Sequence, residues 1–111
     1  MDLRRIALLE KIRHEGKEWN VLAPRYGVTN PAPPWKTSLI AMCECLSISG
    51  ALPTLDRRRT EDELAEALYG EVPAPERQLL ALVHTMLCRE LVTEGDLASR
   101  MRAVRSRLET V

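Results

Sequence analysis

The sequence has no phenylalanine, and aromatic residues make up only 4% of its 111 positions. Its 16 basic and 16 acidic side chains cancel, so no net charge draws the chain to nucleic acid or to a membrane surface. No window approaches the roughly 18 to 20 apolar residues that a membrane-spanning helix requires. Few aromatics and no basic excess together argue against a nucleic-acid interface. We therefore expect neither nucleic acid nor a membrane as a partner.

Cysteine is also scarce, and the three examples are Cys43, Cys45 and Cys88. An odd number does not suit a disulfide framework. The opening residues carry charges every few positions and lack the apolar run of a secretory leader. These features predict a reducing compartment, and we expect a cytoplasmic protein. A chain of this length can bury a modest core as one domain without disulfides.

Alternation typical of β-strands is missing, and prolines and glycines divide the sequence into helical patterns. We predict an all-α fold of about four to five helices. Residues 1–34 are predicted as an N-terminal helical arm and a Pro-rich linker, and residues 35–111 as the helical domain. The linker, 20–34, contains too many prolines for a regular element. The arm's apolar stripe is expected to rest on a partner and contains Leu3, Ile6, Leu9 and Ile12.

Four further helices are predicted, and most of their ends carry a recognisable signal. A proline suits the first turn of the second helix, and a glycine suits its left-handed end. Threonine caps open the third and fifth helices, and a capping-box pattern within the third indicates an alternative start there. The fourth, residues 75–90, is the most apolar and is predicted to be central. The signals are Pro34 and Gly50 for the second helix, Thr54, Thr60 and Gly70 for the third, and Thr93 with Asp96 for the fifth.

Cys43 and Cys45 have a spacing that metal sites use, but they fall inside the second predicted helix. Residues two apart on a helix point about 200° away from each other, so the two thiolates cannot bind one ion unless the helix unwinds. A zinc site would need two more ligands, and Cys88, His14 and His84 show no ligand spacing. We predict that Cys43 packs as a small hydrophobe and that this chain holds no metal.

Three consecutive arginines, Arg57, Arg58 and Arg59, follow the second predicted helix. As a solvated helix face, they would pair with the acidic residues around them. As a binding site, they would suit an oxyanion on a partner, because arginine offers a rigid fork of donors. Periodicity places Arg57 on a stripe with Leu64 and Arg58 on a stripe with Leu55, and it does not choose between these readings.

Several features between residues 34 and 109 occur in a distinctive order. A tryptophan enters a helix that ends in glycine, an acidic-arginine segment opens the next helix, and a proline-rich Glu-Arg segment precedes the fourth. They are Trp35, Gly50, Leu55-Asp56-Arg57-Arg58, Pro73-Ala74-Pro75-Glu76-Arg77 and Leu91-Val92-Thr93-Glu94-Gly95-Asp96-Leu97. This order resembles the N-terminal helical half of nitrile hydratase β subunits. Cys43-Glu44-Cys45-Leu46 followed by the arginines is especially similar to the β subunit of thiocyanate hydrolase.

The resemblance implies a division of labour between subunits. In that family an α-type subunit holds cobalt or iron in a cysteine cluster with two oxidised thiolates, and β-subunit arginines hydrogen-bond to the sulfur oxygens. Counting eight residues on from Gly50 assigns this role to Arg58, with Arg57 as the alternative. The resemblance also implies substrate-side or interface positions for three residues, Trp35, Tyr69 and Arg77.

The sequence departs from the family in three respects. It lacks the cysteine motif of the α-type subunit, since Cys-Glu-Cys is not the expected pair of groups with Cys-Ser-Cys. Ala74 and Pro75 stand where the family has paired aromatics. The sequence also stops where a nitrile hydratase β subunit would continue into a β-barrel. We expect a separate third subunit to supply that barrel, as in thiocyanate hydrolase and in the three-subunit nitrile hydratase that acts on toyocamycin.

The resemblance therefore implies a metal-free β-type subunit of a multi-subunit nitrile hydratase, a lyase that converts a nitrile and water to an amide and is not catalytic as this chain alone. Its expected partners are an α-type metal-binding subunit, a separate β-barrel subunit and a small nitrile. Two related alternatives are a thiocyanate hydrolase β subunit and the accessory protein that helps deliver cobalt to nitrile hydratase. The segment Asn30-Pro31-Ala32-Pro33-Pro34-Trp35 is similar to that accessory protein's entry. An unrelated helical adaptor is the remaining alternative.

Overall fold

The computed structural model describes residues 3–109, and all regular structure in this range is helical. The elements are α1 (Ala7–Arg13), α2 (Trp19–Arg25), α3 (Lys36–Ile48), α4 (Thr54–Leu64) with its π-helical continuation (Ala65–Tyr69), α5 (Ala74–Cys88) and α6 (Glu94–Glu109). The described residues include no strand, which confirms the predicted all-α class. Nor does any helix within them have the length and apolar character needed to cross a membrane.

Helix α5 is the centre of the fold, because its residues belong to both hydrophobic clusters. One cluster consists of Leu9, Leu64, Tyr69, Val72, Leu80 and Ala81, and the other consists of Leu39, Cys43, Leu52 and Leu82. Each fully buried leucine contributes about 1.5–3 kcal/mol relative to an exposed one. The prediction of a central fourth helix is confirmed, although this helix is the fifth in the structure.

Helix α1 packs on the chain's own core, and this corrects the prediction of an arm that rests on a partner. Leu9 is only 1% exposed and belongs to the first cluster, with Ile6 and Ile12 against it. Arg13 reaches the π-helical segment, where its Nη1 donates to the carbonyl oxygen of Leu68 at 3.1 Å. The predicted boundary between residues 34 and 35 is therefore not a break in the packing, because both sides share one core.

The segment predicted as a structureless linker contains α2, which is the second correction. Pro24 lies in the last turn of this seven-residue helix, so its missing N–H removes a single bond, to the carbonyl of the exposed Asn20. The start of α2 is held by α5, because Oε1 of Glu76 accepts the backbone N–H of Trp19 at 2.7 Å. A contact between residues this far apart in sequence leaves no local pattern.

Helix α4 begins at Thr54 with Pro53 as its N-cap, so the predicted Thr54 cap is wrong. The Thr54 hydroxyl instead bonds the Ser47 hydroxyl at the end of α3, at 2.5 Å. The helix runs through Thr60 without the restart that its capping-box pattern indicated, since Thr60 is buried in a continuous helix. Gly70 follows the π-helical segment, and a Cβ at this position would meet the carbonyl oxygen of Ala65 at 2.9 Å.

The predicted ends at Gly50 and Thr93 have the expected geometry, whereas α3 begins at Lys36, so Pro34 lies before the helix and not in its first turn. Gly50 follows α3 with a φ of 79°, the left-handed conformation that glycine adopts without steric cost. Helix α5 ends at Cys88, Glu90 follows two residues later with a φ of 58°, and the N–H of Leu91 donates to the carbonyl of Met86 at 2.9 Å. Helix α6 is capped as predicted, because Oγ1 of Thr93 accepts the N–H of Asp96 at 3.1 Å.

Candidate functional site

The cysteine pair on α3 is divided between core and solvent, as the helix pattern predicted. Cys43 is 4% exposed and lies in the second hydrophobic cluster, whereas Cys45 is exposed. Burial raises the pKa of the Cys43 thiol, although the nearby charge of Arg57 partly opposes this effect. Cys43 is therefore held as a neutral packing group and is not a poised nucleophile.

Among residues 3–109, no group of three or more histidine, cysteine, aspartate or glutamate side chains is placed to hold a metal ion. The two α3 thiols point to opposite sides of the helix, so they do not form half of such a site.

Arg57 faces the interior of the molecule. Its side chain is 13% exposed, and its Nη1 donates to Oε1 of Glu61, one turn further along α4, at 2.9 Å. Its Nε is buried with no hydrogen-bond partner. Arg57 thus shares the inner face of α4 with Thr60 and Leu64, which are buried at the expected spacings of three and seven residues. Its guanidinium is committed to a contact within the chain.

Arg58 lies on an exposed face of α4, about 100° around the helix axis from Arg57. Within residues 3–109 its side chain makes no hydrogen bond or ion pair, and the same holds for the exposed Arg59. The five guanidinium N–H donors of Arg58 therefore have no partner among the described residues. The structure thus separates two arginines that are adjacent in sequence, because a helix turns by about 100° per residue.

One exposed apolar side chain lies near Arg58 on α4, and a second is exposed at the end of α3, which a hydrogen bond joins to the start of α4. Leu55 is 60% exposed and precedes Arg58 by three residues, a spacing that puts their Cβ atoms about 5–6 Å apart on a helix. Ile48 at the end of α3 is 87% exposed, and the bond between Ser47 and Thr54 holds that end against the start of α4. We call Ile48, Leu55 and Arg58 the arginine surface. It combines apolar area with unpaired donors, which is a composition typical of protein interfaces.

The other predicted site residues have roles within the chain. Trp35 is half-buried and packs against the second cluster at the start of α3. Arg77 is half-buried, and its Nη1 donates to the carbonyl of Val72 at 3.3 Å. In the Glu-Arg pair that entered the resemblance, the neighbouring Glu76 holds the start of α2. Neither member of that pair belongs to the arginine surface.

Tyr69 is completely buried, so in this structure it faces neither a substrate nor a partner. Its hydroxyl lies 2.8 Å from Nδ1 of His84, which is also completely buried, and the two rings meet edge to face. Burial raises the pKa of Tyr69 to about 12. The pair joins the π-helical segment to α5 and acts as a polar part of the core.

Sequence reasoning did not find the exposed Ile48 or the Ser47–Thr54 bond beside it. Ile48 belongs to an apolar helix pattern, and the pattern does not distinguish it from the apolar side chains that are buried. The sequence also does not predict that the Arg57–Glu61 pair lies on the inner face of α4, because periodicity does not decide which arginine faces inward. The one local signal for the pair is its spacing of four residues, which suits an ion pair on a helix.

Comparison of the chain with protein-family models, with curated proteins and with solved structures gave no match. The resemblance to nitrile hydratase and thiocyanate hydrolase β subunits therefore stays a prediction from the order of features along the sequence.

Proposed function

We propose that this chain is a metal-free β-type subunit of a nitrile hydratase-type enzyme. It would pack on an α-type subunit that holds cobalt or iron, with a separate subunit supplying the β-barrel. The observation that carries the proposal is the contrast between Arg57, which is bonded to Glu61, and Arg58, which is exposed with no partner in the described residues. The residue that the family resemblance selects is thus the one available to a second subunit.

The chemistry of arginine suits the role. Two oxidised cysteine ligands present sulfur oxygens that carry negative charge. A guanidinium can donate two parallel hydrogen bonds to such a group, and these charge-assisted bonds are about twice as strong as neutral ones. In the proposed complex Arg58 holds the oxygens in place and partly neutralises their charge. The partner's metal supplies Lewis acidity or an activated water for the addition to the nitrile.

The apolar part of the arginine surface supports docking. Ile48 and Leu55 are 87% and 60% exposed, and contact with a partner would remove them from water. Exclusion of water around Arg58 would also lower the local dielectric and strengthen its contact with an oxyanion. Apolar anchors beside a central arginine are a common arrangement of the residues that dominate binding.

Co-expression is the direct test of the assembly. The chain is expressed with the products of neighbouring reading frames, one of which is expected to encode two closely spaced cysteine groups. The expected result is a stable complex that retains this chain at a fixed ratio, contains cobalt or iron, and converts a simple nitrile to its amide. Absence of any cysteine-cluster partner, or a purified complex without metal, would contradict the proposal.

The same preparation separates the alternatives. A subunit stays in the purified active complex, whereas an accessory protein leaves once metal is delivered. A thiocyanate hydrolase would consume thiocyanate in place of the nitrile. Leu55→Asp is the matched interface variant, because Leu55 is exposed and its replacement should weaken the complex without unfolding the chain.

A further inference from the structure

Helix α6 carries a second surface that the proposed function does not use. Unlike every other helix, it has no buried residue along its 16 positions. A helix of about this length is marginal in water without packing. It makes two polar contacts with α1 and the residues just after it: Glu94 accepts the N–H of Leu8 at 3.1 Å, and Arg105 lies 3.6 Å from Glu15. Met101 also lines a small cleft with Ile12 of α1.

The apolar residues of α6 form one continuous stripe at heptad spacing. Leu97, Met101, Val104 and Leu108 follow at intervals of four, three and four, which are the a and d positions of a coiled-coil seam. We call these four residues the α6 stripe. Exposure increases along it, from a half-buried Leu97 to 36% for Met101, 37% for Val104 and 73% for Leu108. An open groove of about 440 Å³ runs beside the last three.

Basic side chains border the α6 stripe on both sides. Helical geometry places Arg100 and Arg107 along one edge and Arg105 along the other, and Lys17 also lines the groove. Two acidic groups are nearby: Glu15 lies 3.8 Å from Lys17 and 3.6 Å from Arg105, and Glu109 lines the end of the groove. They do not cancel the four basic groups, so an excess of positive charge surrounds the apolar seam.

This charge pattern favours an acidic partner helix over a second copy of the chain as the molecule that binds the α6 stripe. A second copy would place arginine opposite arginine in either orientation, since the edge positions that meet across a two-stranded seam are Arg100, Arg105 and Arg107 in both copies. A helix with apolar a and d positions and acidic edge residues would instead pair with these arginines. From this complementarity we propose that the α6 stripe is a docking site for an acidic amphipathic helix of a partner protein.

A pair of designed probes tests the proposal on the isolated full-length chain. Both are fluorescein-labelled three-heptad peptides with leucine at a and d; one has glutamate at the e and g positions and the other has lysine there. The glutamates also discourage the first peptide from pairing with itself. Fluorescence anisotropy should show binding of the acidic probe, with the basic probe at least about tenfold weaker, and the difference should shrink as salt is added.

Charge reversal supplies the matched control. The double variant Arg100→Glu/Arg107→Glu should reverse the preference between the two probes, and a purely structural role for these arginines would not produce that reversal. Val104→Asp and Leu108→Asp should each abolish binding of both probes. Both positions are exposed, so the far-ultraviolet circular dichroism spectrum should be unchanged.

Three outcomes would overturn the proposal. The first is equal binding, or no binding, of the two probes. The second is a concentration-dependent dimer that Val104→Asp dissolves, which would assign the stripe to a second copy. The third is tighter binding to vesicles of phosphatidylserine and phosphatidylcholine than to the acidic probe, again lost in Val104→Asp. The assay needs no metal and no enzyme complex, so its failure leaves the role proposed for Arg58 unaffected.

Discussion

Arg57 and Glu61 form an ion pair one turn apart on α4, with 2.9 Å between Nη1 and Oε1. Both side chains are mostly buried, at 13% and 19% exposure, so the pair lies on the inner face of the helix. Because Arg57 is committed to this contact, the adjacent Arg58 is turned outward. The placement of the proposed functional arginine thus depends on a neighbour that has a structural role.

Removal of the carboxylate charge should destabilise the chain. Glu61→Gln leaves Arg57 largely buried without its counter-charge, and we expect a loss of about 1–3 kcal/mol in the free energy of unfolding. Urea denaturation followed by circular dichroism measures it. Asp62→Asn is the matched control, because Asp62 is exposed and its loss should change stability by less than about 0.5 kcal/mol. Equal effects of the two variants would contradict the burial of the pair.

The burial of the Tyr69 phenol should make the folded chain less stable at alkaline pH. The pKa of Tyr69 is raised from 10.0 to about 12 in the folded chain, so the unfolded chain releases the phenolic proton first as the pH rises. Stability is therefore full below pH 10 and falls as the pH rises towards 12, by about 3 kcal/mol in total.

Tyr69→Phe should remove this part of the decline and cost about 1–3 kcal/mol at neutral pH, because Nδ1 of His84 loses its bond. Tyr26→Phe is the control, since Tyr26 is 72% exposed. Denaturant titrations of the three proteins between pH 8 and pH 12 make the comparison. An identical pH profile for wild type and Tyr69→Phe would show that the phenol is not buried.

Two glycines should respond to alanine in opposite directions. At Gly70 a Cβ would meet the carbonyl oxygen of Ala65 at 2.9 Å, so Gly70→Ala forces a backbone shift and should destabilise by about 1–2 kcal/mol. Gly95, in the first turn of α6, has nothing within 4 Å of that position, so Gly95→Ala should stabilise by about 0.5–1 kcal/mol. Thermal unfolding of both variants is the measurement, and shifts of the same sign would contradict the account.

The helix class and most helix ends could be predicted from the sequence, because they depend on local chemistry. Gly50 and Thr93 show this, since a left-handed end and an N-cap each involve residues only a few positions apart. The predictions about α1 and α2 were wrong because contacts between residues far apart in the sequence determine the position of these two helices. Leu9 is buried by residues from 64 onward, and Glu76 holds α2 across 57 positions, so neither contact leaves a local pattern.

The sequence predicted which arginines were candidates for the site, but it did not predict which of them is exposed. A local pattern placed Arg57 and Arg58 on different stripes of one helix. The choice between them required tertiary structure, because only the packing of α4 on α3 and α5 shows which stripe faces inward. The exposure of Ile48 could not be predicted for the same reason. An apolar residue in an apolar helix is expected to be buried, and only the tertiary structure shows that this side chain is exposed to solvent.

The two α3 cysteines should differ in reactivity. Burial protects Cys43 and raises its pKa, whereas Cys45 is exposed. Iodoacetamide at neutral pH should therefore modify Cys45 in the folded chain and reach Cys43 only after unfolding, as read by mass spectrometry of peptides. Comparable modification of both thiols in the folded chain would contradict their placement on opposite sides of α3.

The central claim is that Arg58 acts on a partner's oxidised cysteine ligands, and a pair of lysine variants in the co-expressed complex tests it most directly. Lysine keeps the positive charge but cannot form the bidentate contact. Arg58→Lys should lower nitrile turnover or metal content by about 10- to 100-fold, whereas Arg59→Lys, at the exposed neighbouring position, should leave both unchanged. Full turnover and metal content in the Arg58→Lys complex would contradict the account.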